Sequence, residues 1–302
     1  MSSDSTPFRI GVIGGSGLYD IDGLTDLREQ EVQTPFGRPS DAVIIGRLQG
    51  VRSQDGRDVE LCFLPRHGRG HVFNPSEVPY RANIWALKSL GVDWIVSISA
   101  VGSLREEIVP GHMVIIDQFI DRTKGVRPCT FFEGGIVGHV GFADPVCGTL
   151  RGYLLDAARE AGATVHDGGT YVCMEGPQFS TRAESNLYRS WGAQVIGMTN
   201  LTEAKLAREA EISYATVAMS TDYDCWHDGH DDVTVASVIA VIQANVATAR
   251  AIIKAVAPRI AAHAGPAPTL GAMEHAIMTA RDRIPSDRRE ALAPLVGRYF
   301  ES

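Results

Sequence analysis

The chain has 302 residues, 44% hydrophobic and 21% charged, enough to bury the core of one large α/β domain. A formal charge of −8 provides no basic field to neutralise phosphate chains, which excludes broad nucleic-acid or anionic-membrane binding. Met1–Pro7 lacks the features of a secretion signal, no apolar run spans a bilayer, and Cys62, Cys129, Cys147, Cys173 and Cys225 read as free thiols of a cytoplasmic protein.

Phe8–Ile13 predicts a short apolar strand running into Gly14-Gly15-Ser16-Gly17. The backbone N–H groups of such a turn can cradle an anion, although the same four residues also suit a plain tight turn. A dinucleotide fingerprint is not met, since Asp20 stands where its third glycine belongs, and no Gly-Lys-Ser/Thr follows for a Walker loop. Val59–Leu64 predicts a second strand, followed by Arg66 and His67, a guanidinium and an imidazole suited to phosphate oxygens. His67 and His71 have zinc-like i, i+4 spacing, but Gly68 and Gly70 argue for a loop, so no metal is expected.

Pro79–Leu90 has helical spacing, and the strand Trp94–Ile98 leads to Ser99 and Ala100. Met113–Phe119 and Thr170–Met174 predict strands; Leu150–Ala161, Thr181–Trp191 and Asn200–Ala210 predict helices. The strand Tyr214–Met219 precedes Asp222 and Asp224. If that strand continues, alternation aims both carboxylates at one spot, where mutual repulsion raises one pKa; an acidic turn has the same spacing. His227–Asp232 reads as a mobile acidic loop rather than a metal site. In the long helix Val233–Val256, Val235, Val238 and Ile239 form an apolar stripe of the kind that usually faces a core or a partner.

Residues 261–268 predict a Pro/Ala linker, and the tail to Ser302, helical at Arg288–Leu295, is expected to pack on the body or on a neighbouring subunit. Strands alternating with helices over residues 8–260 predict a single α/β domain with a mainly parallel twisted sheet flanked by helices. Ligands of such sheets bind beyond the carboxyl ends of strands. Residues 14–17, 66–67, 99–100, 174–180, 198–199 and 222–224 all follow a predicted strand.

Arg66-His67-Gly68-Arg69-Gly70-His71, Ser97-Ile98-Ser99-Ala100-Val101-Gly102-Ser103, Met174-Glu175-Gly176-Pro177-Gln178-Phe179-Ser180, Gly197-Met198-Thr199-Asn200 and the segment 220–226 occur in this order. Together with Gly14–Gly17 they resemble the trimeric purine nucleoside phosphorylase superfamily, and within it the members that act on S-methyl-5′-thioadenosine. The resemblance runs from about Ile10 to about Ile260. It implies that Ser16, Arg66, His67, Ser99, Ala100 (through its backbone) and Thr199 bind phosphate; Ser16 and Ser99 replace threonines common in relatives. It places Met198 under the ribose, Phe179 and Ser180 beside the base, and His71 and His139 near the sugar end, His139 coming from a neighbouring subunit. It sets Val235, Val238 and Ile239 around the 5′ substituent.

Relatives specific for 6-oxo purines usually carry Glu and Asn where Ser180 and Asp222 stand, so this pair argues for a 6-amino purine. The implied protein is a homotrimeric pentosyltransferase that needs no cofactor or metal and uses inorganic phosphate as co-substrate. It converts methylthioadenosine reversibly to adenine and 5-methylthioribose 1-phosphate, with Asp222 as the acid toward N7 and Asp224 at the amino group. The alternatives are a phosphorylase preferring adenosine, inosine or methylthioinosine, a nucleosidase, and a non-catalytic nucleoside-binding protein.

Overall fold

The structure, a computed structural model, describes residues 6–15, 17–227 and 235–300, without the side chains of 235–238, 240, 242 and 244. The strands are β1 (Phe8–Gly14), β2 (Leu24–Gln30), β3 (Val43–Arg52), β4 (Asp58–Pro65), β5 (Val92–Ser103), β6 (Met113–Ile115), β7 (Gln118–Arg122), β8 (Val165–Asp167), β9 (Thr170–Met174), β10 (Val195–Gly197) and β11 (Ser213–Asp222). The helices are α1 (Tyr80–Ser89), α2 (Gly148–Glu160), α3 (Arg182–Ser190), α4 (Asn200–Glu209), α5 (Val235–Ala261) and α6 (Ser286–Val296).

β5 organises the sheet. It lies between β1 and β11, parallel to both, and its last residues Gly102 and Ser103 pair antiparallel with Ile196 and Val195 of β10. Alternation along β5 sends Trp94, Val96 and Ile98 to one face, where they pack with Leu150 and Leu154 of α2 and Ile252 and Val256 of α5. Ile95 faces the other side with Ile84 and Leu87 of α1 and Ala204 and Ala207 of α4. The result is the expected helix-flanked α/β sheet in one domain.

The sheet is mixed, with parallel pairing in its centre. β2, β3 and β4 form an antiparallel meander at one edge, because the chain between them carries no helix to make a parallel crossover. The predicted strand Met113–Phe119 is really two, β6 against β11 and β8, and β7 against β9. The turn at Gly168–Gly169 splits them: Gly168 N donates to Ile115 O, and Gly169 N donates to Asp117 Oδ1 at 3.1 Å.

The tail is laid across the body. Trp85 Nε1 of α1 donates to Ala291 O of α6 at 2.8 Å, and Leu292, Leu295 and Val296 are buried in the cluster that holds Ile84 and Leu87. Glu211 accepts the N–H groups of Gly271 and Met273 and pairs with Arg298. His139 N donates to Ala276 O and Met278 N to Val137 O, a short ladder centred on the Gly138–Ile277 bridge. Among the described residues, no helix is long and apolar enough to cross a membrane.

Candidate active site

β1, β4, β5 and β11 run parallel, so their carboxyl ends open on one side of the sheet. The antiparallel turn of β10 against the end of β5 carries Met198 and Thr199 back toward Ser99 and Ala100. Arg66, just after β4, donates its backbone N–H to Gly14 O at 2.9 Å, which joins the glycine turn to the guanidinium. Gly17 O accepts two bonds from Arg250 of α5, at 3.0 and 2.7 Å. Ser16 itself lies outside the described residues.

The Arg66 side chain is buried and ion-paired with Glu203 through Nε and Nη2. Nη2 also donates to Ser97 Oγ at 2.7 Å and Nη1 to Ile98 O at 3.0 Å, so these bonds use four of its five N–H groups. Burial works against its charge, but the Glu203 carboxylate outweighs burial and raises the pKa, which keeps Arg66 a cation. His67 Nδ1 lies 2.8 Å from Phe73 O, an acceptor, so Nδ1 carries the proton and Nε2 of the neutral ring presents a lone pair. Burial first, and the Arg66 charge second, push His67 down to about 4. His71 stacks on it with ring centroids 4.3 Å apart. Thr199 is the buried N-cap of α4, and its hydroxyl is not spent on capping the helix. Cation, neutral acceptor, buried hydroxyls and a helix N-terminus together suit a protonated oxyanion.

The second half of the site forms at the end of β11. Asp222 closes the strand opposite Gly102, but Asp224 follows in the left-handed region at φ 52°. The carboxylates therefore meet through a tight turn and not through strand alternation. Asp224 N donates to Asp222 Oδ1 at 2.7 Å, and Thr221 Oγ1 donates to Oδ2 at 2.7 Å. Gly102 makes room for the pair, since a Cβ there would stand 3.0 Å from Asp222 Oδ1. Burial raises both pKa values, Asp224 to about 6, with the neighbouring Asp222 charge a lesser cause. Mutual repulsion was the expected cause, but desolvation exceeds it, with Asp224 buried and Asp222 half-buried. The Ser185 and Ser180 hydroxyls lie close enough to the buried Asp224 carboxyl to lower its pKa against the effect of burial, although neither makes a well-aligned bond to Oδ2. The Ser180 carbonyl accepts from Cys225 Sγ at 3.2 Å.

Met198 directly follows β10, whose Ile196 pairs with Gly102 of β5. A Cβ on Gly176 would come within 2.5 Å of its sulfur, so the two segments pack with no space for a side chain. Phe179 is 45% exposed at the rim. His139 is exposed, and its described bond, to Ala276, reaches none of these residues. Ile239 is 46% exposed and so belongs to no core, whereas the side chains of Val235 and Val238 and residues 228–234 of the acidic loop lie outside the described residues. Among the described residues, no cluster of three or more His, Cys, Asp or Glu could hold a metal. Sequence reasoning missed Glu203, Arg250 and Arg127. Glu203 looks like an ordinary helix charge, and Arg127 like a loop cation.

A model of the phosphorylase superfamily matches residues 9–258. The S-methyl-5′-thioadenosine phosphorylase of Geobacter sulfurreducens is 59% identical over 96% of this chain and 98% of its own length. That of Chloroflexus aurantiacus is 57% identical, with 96% and 98% covered. A crystal structure of a methylthioadenosine phosphorylase from an antarctic soil metagenomic library superposes with a TM-score of 0.89 at 46% identity, covering 96% of this chain and 99% of that one. A Schistosoma mansoni adenosine/methylthioadenosine phosphorylase variant, solved with methylthioadenosine, gives a TM-score of 0.76 at 37% identity, with 85% and 93% covered.

Proposed function

The chain belongs to the phosphorylase superfamily and, within it, to the S-methyl-5′-thioadenosine phosphorylases; on that premise we propose that it catalyses the reversible phosphorolysis of methylthioadenosine to adenine and 5-methylthioribose 1-phosphate. The observation that carries the reading is the Asp222–Asp224 turn beside Ser180, at the same carboxyl-end side of the sheet as the residues around Arg66. A hydrolase would have no use for the anion-binding half around Arg66, His67 and Thr199.

In this reading an oxygen of HPO₄²⁻ attacks C1′ as the C1′–N9 bond breaks, and the bonding electrons move onto the imidazole ring of adenine. Asp222 delivers a proton to N7, while Asp224 accepts from the 6-amino group. General acid help of this kind contributes about 10²–10⁴-fold. The phosphate is held by Ser16, Arg66, Ser99, the Ala100 N–H and Thr199, and His67 Nε2 accepts its hydroxyl. Met198 supports the ribose, and Phe179 and Ser180 flank the base. Val235, Val238, Ile239, His71 and the His139 of an adjoining protomer surround the 5′ end, in the homotrimer that the family resemblance implies. Arg66 and the backbone donors supply the electrostatics, with no metal or cofactor in the reaction. Residues 8–260 are the catalytic domain and 261–302 a tail packed upon it. Free cysteines at all five positions fit a reducing cytoplasm.

The test follows adenine release from methylthioadenosine with and without phosphate, beside adenosine and inosine. Strictly phosphate-dependent release, fastest with the methylthio substrate, is expected. Release without phosphate means hydrolysis, an inosine preference overturns the base pocket, and no turnover favours a binding protein.

A further inference from the structure

We infer that Arg127 is a positioning residue for the sugar: it clamps the Met198 carbonyl to the Glu175–Gly176 segment and so fixes the surface on which ribose rests. The inference rests on the proposed placement of ribose over Met198. Arg127 lies in the loop after β7, and its side chain is 1% exposed. Its guanidinium is divided among three chain segments. Nε donates to Glu175 Oε1 at 2.7 Å, Nη2 donates to Glu175 O at 2.5 Å, and Nη1 donates to Met198 O. Nη1 also reaches Tyr80 Oη at 3.4 Å.

Glu175 extends the clamp. Its carboxylate accepts from Lys124 N at 2.5 Å and from Ser76 Oγ, which ties in the loop before α1. One planar cation thus joins the ends of β9 and β10, strands that run parallel and are paired only through Gly197 and Cys173 at that end. The joint needs fixing because of the Gly176–Met198 contact. The chains approach until a Cβ on Gly176 would sit 2.5 Å from Met198 Sδ, so a small separation of the segments moves the thioether directly. A lysine offers one point charge and cannot bridge two carbonyls and a carboxylate in a plane.

Arg127 has no described bond to Asp222, Asp224, Ser180 or Ser185, so it acts on the sugar surface and leaves the base pocket alone. This separation gives the experiment its readout. The full chain and its Arg127→Lys and Arg127→Met variants are compared by adenine binding, by methylthioadenosine kinetics and by thermal melting. The expected result for Arg127→Met is a nucleoside KM raised about tenfold or more, with adenine affinity within about threefold of wild type. Arg127→Lys should fall between the two, since it restores one of the bonds.

A folded variant with unchanged nucleoside KM overturns the inference, and so does an equal loss for adenine and nucleoside, the mark of a merely structural role. If both variants fail to fold, Glu175→Gln keeps the backbone carbonyls but removes the carboxylate charge opposite Nε and turns one of its two accepting oxygens into a donor. A selective rise in nucleoside KM there supports the clamp, and no rise overturns it. A wild-type chain that binds no nucleoside overturns the functional reading and this inference together, whereas an active wild type with unaltered variants overturns the inference alone.

Discussion

Glu203 grips the Arg66 guanidinium along its Nε–Nη2 edge, with Nη2 3.1 Å from Oε2, at a place where Arg66 is only 4% exposed. Ser97 Oγ and Tyr214 Oη donate to the same Oε2, at 3.1 and 2.9 Å. The Arg66 cation is therefore held by a residue 137 positions away in the chain. Glu203→Gln leaves a buried charge without its counter-ion, and unfolding experiments should show a loss of about 3–5 kcal/mol. In the folded fraction the phosphate KM should rise more than the nucleoside KM. A variant with wild-type stability and phosphate KM would mean that Arg66 is held by Ser97 and Ile98 alone.

Asp222→Asn keeps the shape and removes the proposed acid. Turnover of methylthioadenosine should fall by about 10²–10⁴-fold with the phosphate KM little changed. Inosine use should improve relative to adenosine, because an amide can donate to a 6-oxo group. Steady-state kinetics on both nucleosides decide it, and near-wild-type rates on methylthioadenosine would remove Asp222 from the acid role.

Asp224 is tied to stability with a definite sign. Its pKa in the fold is about 6 against an ordinary 3.8, so the folded chain holds this proton more tightly than the unfolded chain. Its contribution is fully present below the ordinary value and is lost as pH rises toward 6, by about 3 kcal/mol at most. Asp224→Asn should match wild type near pH 4 and be the more stable protein above pH 6, while losing activity. Melting curves across that range test this; a variant that is less stable at pH 7 would contradict it.

Gly176→Ala places a methyl group where φ is 69° and Met198 Sδ would be 2.5 Å away. Methionine can yield, so the chain should fold with a modest loss of about 1–2 kcal/mol. The displaced thioether should raise the nucleoside KM several-fold, with adenine binding unaffected. Equal KM values in the two proteins would show that Met198 does not bear the sugar.

The parallel centre was legible because β1, β4, β5 and β11 are buried apolar runs ending in glycine, proline or polar residues, and because the helices between them keep their period. Thr181 and Glu184 even form the capping box that starts α3. β2 was not legible, since all its residues from Asp26 to Gln30 are exposed and carry no apolar alternation. β8 and β10 have three residues each, too short for any period to show. In the candidate site, the residues proposed to meet the substrates lie in recognisable strings, such as 66–67 and 222–224. The residues that hold them do not. Arg127 and Glu203 act across 48 and 137 positions of chain, and nothing local distinguishes a buried arginine or glutamate from a solvated one.

Trp85 and Ala291 bond across 206 positions, and the apolar flank of α1 is closed by Leu292, Leu295 and Val296. During synthesis that flank exists long before its cover. At a ribosomal pace of roughly 5–20 residues per second, about 10–40 s separate the emergence of the two partners. Over that interval Ile84 and Leu87 lack the part of their packing that α6 supplies, and the nascent chain offers a sticky surface to its neighbours. That surface is covered only when α6 docks on α1.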